Sequence, residues 1–138
     1  MTTHADASAR TDPHAAVRAL VVDDNHGAAR MMALALEVMG AVVAIAHDGE
    51  SAVAVAREFQ PHITFMDLSM SGMDGREAAR RIRAERQRCE VFLVAVSGWP
   101  RDDVEAMGGI LDFDDYLPKP AALSQLREML DQCMRRRH

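Results

Sequence analysis

Five polar residues stand where short apolar runs end. Asp23 and Asp24 follow "VRALVV", Asp67 follows "HITFM", Ser97 follows "VFLVAV", and Lys119 sits between Pro118 and Pro120 after "DYL". Taken singly, an aspartate after a strand is a common turn or capping residue, and a lysine on a loop is ordinarily just solvated. Taken together, three mutually repelling carboxylates call for a cation. Hard oxygen donors with open water positions suit Mg2+, which binds through a few carboxylates plus a phosphate. A lysine opposite the metal adds positive charge and a hydroxyl adds one hydrogen bond, a set suited to phosphoryl transfer. One carboxylate can itself be the nucleophile and become an aspartyl phosphate.

The elements that must position these groups alternate along the chain. Residues 17–22, 41–46, 62–66 and 91–96 are β-branched-rich apolar runs of the kind that form strands buried on both faces. A shorter strand is expected near Asp115 to Leu117. Between them lie helical segments. Asn25 is placed to cap the first and Gly40 to end it; 49–59 and the amphipathic 74–88 follow; a weak helix is expected near Asp102 to Met107; and 121–136 closes the chain. Alternation of this kind implies one α/β domain, a five-stranded parallel sheet with helices on both faces and right-handed crossovers. In open sheets of this type the site lies beyond the carboxyl ends of the strands, where the five polar residues fall. Residues 1–16 are polar and without apolar periodicity, and read as a mobile tail preceding a domain over 17–136.

Composition narrows the function classes. The 138 residues are 49% hydrophobic and carry a net charge of -5, which argues against a nucleic-acid binder. Two cysteines, Cys89 and Cys133, are too few for a disulfide framework, and the histidines lack metal-ligand spacing. No run approaches a membrane span, and a cytoplasmic location is expected.

The segments "VVDDN", "FMDLSMSGMDG", "VAVSGW" and "YLPKP", in that order and spacing, resemble the signature segments of the response-regulator receiver domain of two-component systems. The resemblance covers residues 17–136 and implies a flavodoxin-like (βα)5 fold. It implies that Asp67 is the phosphoacceptor, charged by a phosphohistidine, and that Lys119 pairs with the phosphoryl group. Ser97 is then the switch hydroxyl and Tyr116 the aromatic that follows it. The implied Mg2+ ligands are Asp23, Asp24, Asp67 and the backbone carbonyl of Ser69. The implied partners are a histidine kinase or histidine phosphotransferase docking on the first helix around Met31, Met32 and Leu34, and a downstream target protein. The segments are also similar to receivers fused to hybrid histidine kinases, so the chain is expected either to stand alone or to be one such domain. Two rivals differ in class. A phosphorylation-independent binding module is opposed by the intact Asp24, Asp67, Ser97 and Lys119 set. An aspartate-nucleophile phosphohydrolase needs an acid two residues beyond the nucleophile, where Ser69 stands.

The chain departs from the family pattern in places. Ser71 stands where proline is frequent, and should loosen its loop. Leu111 and Asp112 precede Phe113 where a small residue and glycine are usual, while Gly108 and Gly109 sit earlier. Residues 101–112 are therefore expected to be the least ordered part of the domain. Trp99, two positions beyond Ser97, either shields the phosphoryl group or packs on a neighbouring loop. On the first helix Met31, Met32, Leu34, Leu36, Val38 and Met39 cannot all face the sheet, so the surplus either docks a partner or fills gaps beneath the second helix. The arginines of 76–88 read as a solvated face with local acidic partners.

Overall fold

The computed structural model describes residues 17–70, 75–86, 91–106 and 112–137. Strands β1 (Arg18–Val22), β2 (Val42–Ala46), β3 (Ile63–Asp67), β4 (Phe92–Ser97) and β5 (Asp115–Pro118) form one sheet in the order β2-β1-β3-β4-β5. All four pairings are parallel, with Val21 level with Ile45 and Phe65, and Phe65 level with Val94. Helices α1 (His26–Val38), α2 (Gly49–Phe59), α3 (Gly75–Glu85), α4 (Arg101–Ala106) and α5 (Leu123–Arg137) connect the strands and close the chain.

Side chains of a strand alternate between faces, so a strand apolar throughout supplies two cores. Ala19 and Val21 join Ile63, Phe65, Val94 and Val96 on the face covered by α1 and α5. Leu20 and Val22 join Met66, Leu93 and Ala95 on the face covered by α2 and α3, where Ala52, Ala56, Ala78, Ala79 and Ile82 let the helices approach closely. The outer strand β2 has the same apolar composition, yet Val42 and Ile45 are exposed because it lies at the sheet edge.

Local chemistry sets the boundaries. The Asn25 side-chain oxygen accepts the Ala28 amide hydrogen (2.9 Å) to start α1, and Gly40, at φ 99°, lets the chain turn out of it. Asp48 caps α2 by accepting from Ser51 (2.7 Å), and Gln60, left-handed at φ 52°, ends it. The expected tail over 1–16 lies outside the described residues, as do Ser71 and the 107–111 stretch containing Gly108 and Gly109. Helix α4 is six residues long where it is described. The solvated reading of α3 holds for Arg80 and Arg81, which pair with Glu77, and Glu85 pairs with Arg57 of α2. It fails for Arg83, 12% exposed and paired with Asp114, and for Arg86, which donates to the Pro61 carbonyl. Among the described residues no helix is long and apolar enough to cross a membrane.

Candidate functional site

Strand order reverses between β1 and β3, and the crevice of a doubly wound sheet opens there. The turn after β1 brings Asp23 and Asp24 to it, and β3 brings Asp67. Carboxylate oxygens of these three residues lie within 4.8 Å of one another. Asp67 and Ser97 do not follow their strands, as the sequence suggested, but are the last residues of β3 and β4. Asp67 is still in register with Val96, so the sheet ladder fixes the backbone that aims its carboxylate.

Asp67 is buried and heavily solvated by the protein itself. Its Oδ1 accepts the Ser69 amide (2.9 Å) and the Ser69 hydroxyl (2.7 Å), and its Oδ2 accepts from Lys119 Nζ (2.9 Å). Lys119 Nζ also lies 3.3 Å from Asp23 Oδ2. Asp23 is fixed from three sides. Its amide donates to the Ala46 carbonyl (3.1 Å), its Oδ1 accepts the Asn25 amide (2.9 Å), and its carbonyl oxygen lies 3.0 Å from His47 Nδ1, which must therefore be the donor. His47 stacks on His26 at 3.6 Å between ring centroids. Nothing in the sequence flagged His47, because a lone histidine contacting a backbone carbonyl leaves no spacing pattern.

These contacts set the charges. Burial pushes the Asp67 carboxyl up, but the two Ser69 hydrogen bonds and Lys119 outweigh it and hold Asp67 below the usual aspartate range. Burial pushes Asp23 up as well; the Asn25 amide opposes this, but the neighbouring Asp67 charge adds to it, and Asp23 ends above the usual range. Burial lowers Lys119, yet its two carboxylate partners raise it overall. Of the coupled pair Asp67 is thus the more firmly held anion, and Lys119 is the held cation. Like charges about 4 Å apart repel by about 4 kcal/mol at an effective dielectric of about 20. One lysine cannot neutralise three carboxylates, and an all-oxygen donor set of this spacing is able to hold a small divalent cation such as Mg2+.

Ser97 and Tyr116 form an adjoining group rather than part of this cluster. The buried Ser97 hydroxyl accepts the Trp99 amide hydrogen (3.0 Å), and the Tyr116 hydroxyl donates to the Trp99 carbonyl. Trp99 as a residue is 57% exposed, so it is not packed away on a neighbouring loop. Lys119 is positioned from this side too, its amide donating to the Ser97 carbonyl (2.8 Å).

A groove of about 500 Å3 runs between α1 and the start of α5. Met31, Met32, Ala35, Leu123 and Leu126 line it, and Asp23 and Lys119 belong to its walls, so it is continuous with the carboxylate site. Of the surplus apolar residues on α1, Leu36 and Met39 are buried, whereas Met31, Leu34 and Val38 are exposed.

A parallel sheet of this order with an acidic, lysine-bearing crevice at its switch point defines the class of flavodoxin-like α/β domains. Within that class the chain belongs to the response-regulator receiver domain family, whose model matches residues 19–131. It is 33% identical over 122 residues to response regulator MprA of Mycobacterium tuberculosis, covering 87% of this chain and 51% of that protein. It is 31% identical to the probable transcriptional regulatory protein TcrX of the same organism, over 87% of this chain and 50% of that one. The chain therefore spans about half the length of these curated relatives. Among solved structures, chemotaxis protein CheY4 of Vibrio cholerae superposes with a TM-score of 0.78 at 24% identity, over 86% of this chain and 99% of that one. The receiver domain of sensor histidine kinase PA1611 of Pseudomonas aeruginosa, solved with magnesium in its active-site cleft, gives 0.77 at 25% identity over 87% and 98%.

Proposed function

We propose that this receiver is a phosphoacceptor in a two-component or phosphorelay pathway, with Asp67 as the accepting residue. The observation that carries the reading is the state of Asp67, a buried carboxylate kept ionised by Ser69 and Lys119 inside an acidic crevice. In the transfer an Asp67 oxygen attacks the phosphorus of a phosphohistidine. A P–O bond forms, the P–N bond breaks, and the released imidazole nitrogen takes up a proton. Asp23, Asp24, Asp67 and the Ser69 carbonyl are the residues that would hold Mg2+, which supplies positive charge to the phosphoryl oxygens. Lys119, already on Asp67 and 3.3 Å from Asp23, adds a second positive charge. Ser97 offers its hydroxyl hydrogen to the phosphoryl group by turning away from the Trp99 amide, and Tyr116 follows because it holds the carbonyl of the same residue. The new charge is thereby read out as a surface change for a downstream protein.

The apolar groove beside the site suits a helical histidine kinase or phosphotransferase, whose phosphohistidine must reach Asp67 while its helix lies against Met31 and Met32 of the groove and the exposed Leu34 on the same helix. The reading has the domain act in the cytoplasm through protein partners rather than nucleic acid. The phosphohydrolase alternative is disfavoured because the residue two beyond Asp67 is Ser69, whose hydroxyl is spent on Asp67 itself.

Intact mass after incubation with Mg2+ and phosphoramidate tests the proposal. A single phosphoryl adduct that requires Mg2+ and disappears in Asp67→Asn is expected. Absence of any adduct on the wild type, with phosphoramidate and with a phosphorylated histidine protein alike, refutes it in favour of a phosphorylation-independent binding module.

A further inference from the structure

Helix α1 is apolar on two opposite sides. Ala29, Ala33 and Leu36 face the core. Gly27, Met31, Leu34 and Val38 form a second stripe on the solvent side, with Met31 70%, Leu34 47% and Val38 84% exposed. The positions 27, 31, 34 and 38 alternate steps of four and three, so they form one continuous helix face, as Ala29, Ala33 and Leu36 do on the core side, and this spacing is also that of a coiled-coil seam. The residues flanking the seam are equally ordered. Ala28 and Ala35 line one side, and Arg30 and Glu37, seven positions apart, line the other.

We propose that α1 pairs with α1 of a second copy of this chain, antiparallel about a two-fold axis. In that arrangement Met31 of one copy meets Leu34 of the other, and Val38 meets Gly27. The sequence numbers facing each other then sum to a constant, 31+34=65 and 38+27=65. The flanking pairs are staggered from that register by two residues, 28+35=63 and 30+37=67, about 3 Å along the axis, a step that neighbouring side chains span. Ala28 faces Ala35, letting the two backbones approach, and Arg30 faces Glu37, giving two symmetry-related ion pairs. Parallel pairing would set Arg30 beside Ala35 and leave both charges without a partner, so charge complementarity selects the antiparallel copy. The contact is short, about 20 Å for a 13-residue helix. It is smaller than the roughly 1,200–2,000 Å2 of a standard stable interface, so the pairing is a weak, concentration-dependent one. It does not depend on the phosphoacceptor reading, and it would cover Met31 and Leu34 while it lasts.

Sedimentation equilibrium of the full chain over a wide concentration range tests it. A monomer–dimer equilibrium is expected, weakened about tenfold by Arg30→Glu, which sets like charges opposite each other twice, and restored in the Arg30→Glu/Glu37→Arg double variant. Leu34→Glu should be monomeric throughout, with an unchanged thermal midpoint because the site is exposed. A wild type that stays monomeric at every concentration overturns the proposal. So does a dimer that ignores the charge reversal, or one that the double variant fails to restore.

Discussion

Asp114 joins four elements at the edge of the sheet opposite the candidate site, and replacing it by asparagine should expose how much that junction stabilises. Its carboxylate, 8% exposed, accepts the Leu93 amide (2.8 Å) and the Arg83 guanidinium (2.7 Å), with Arg136 at 3.4 Å. Asparagine keeps the shape and can keep the Leu93 bond, but strands the Arg83 charge in a mostly buried place. Removing one partner of a buried pair costs about 3–5 kcal/mol. Arg83 retains two carbonyl partners, Val91 and Asp112, each at 3.1 Å, which moves the expectation to about 2–3 kcal/mol. Burial alone would raise the Asp114 carboxyl, but the Leu93 amide and the two arginines hold it below the usual range. A carboxylate depressed by folding stabilises above its unfolded pKa of about 3.9, and that contribution is lost as pH falls through the folded value. Urea denaturation should therefore show a constant gap between wild type and Asp114→Asn near neutrality, shrinking below about pH 4. Arg83→Met combined with Asp114→Asn should cost less than the sum of the singles. A gap that does not change on acidification, or additive single costs, would refute the argument.

Other consequences can be measured separately. Lys119→Met removes the cation shared by Asp23 and Asp67; calorimetry should show Mg2+ binding several-fold tighter, while phosphorylation from phosphoramidate slows by about tenfold or more. Gly75→Ala would set a Cβ 2.5 Å from the Asp67 carbonyl oxygen and 2.9 Å from Met66, so α3 must shift. A loss of about 1–3 kcal/mol in denaturation is expected, together with slower phosphorylation. Thr64 is fully buried and its hydroxyl finds no hydrogen-bond partner among the described residues. Thr64→Val should leave stability unchanged or raise it by up to about 1 kcal/mol, and a clear loss would reveal a bonded hydroxyl.

The inner strands were legible because "RALVV", "ITFM" and "VFLVAV" are unbroken apolar runs between turn-forming residues, and α1 because Asn25 and Gly40 mark its two ends. The ends of β3 and β4 were misjudged by one residue. Asp67 and Ser97 are polar and look like loop, yet their backbones still pair, which no hydropathy pattern records. The edge position of β2 was hidden for the opposite reason, since "VVAIA" reads like the buried strands beside it. Asp23, Asp24, Asp67 and Lys119 were recognisable as a set because each stands at or just beyond the carboxyl end of a strand of one sheet. The Arg83–Asp114 pair was not, because its partners lie 31 positions apart and belong to no repeating pattern. The separate grouping of Ser97 and Tyr116 around Trp99 was equally invisible, since it runs through the Trp99 backbone and not through any side chain whose type could be read.

That backbone junction gives the molecule a built-in optical gauge. The chain has one tryptophan, so all of its indole emission comes from the residue whose amide and carbonyl hold the Ser97 and Tyr116 hydroxyls. A rearrangement of either hydroxyl that moves the Trp99 backbone carries the exposed ring with it. Emission from the unlabelled protein should follow cation binding and phosphoryl transfer in real time, one signal per molecule and without a dye on the surface that partners must share.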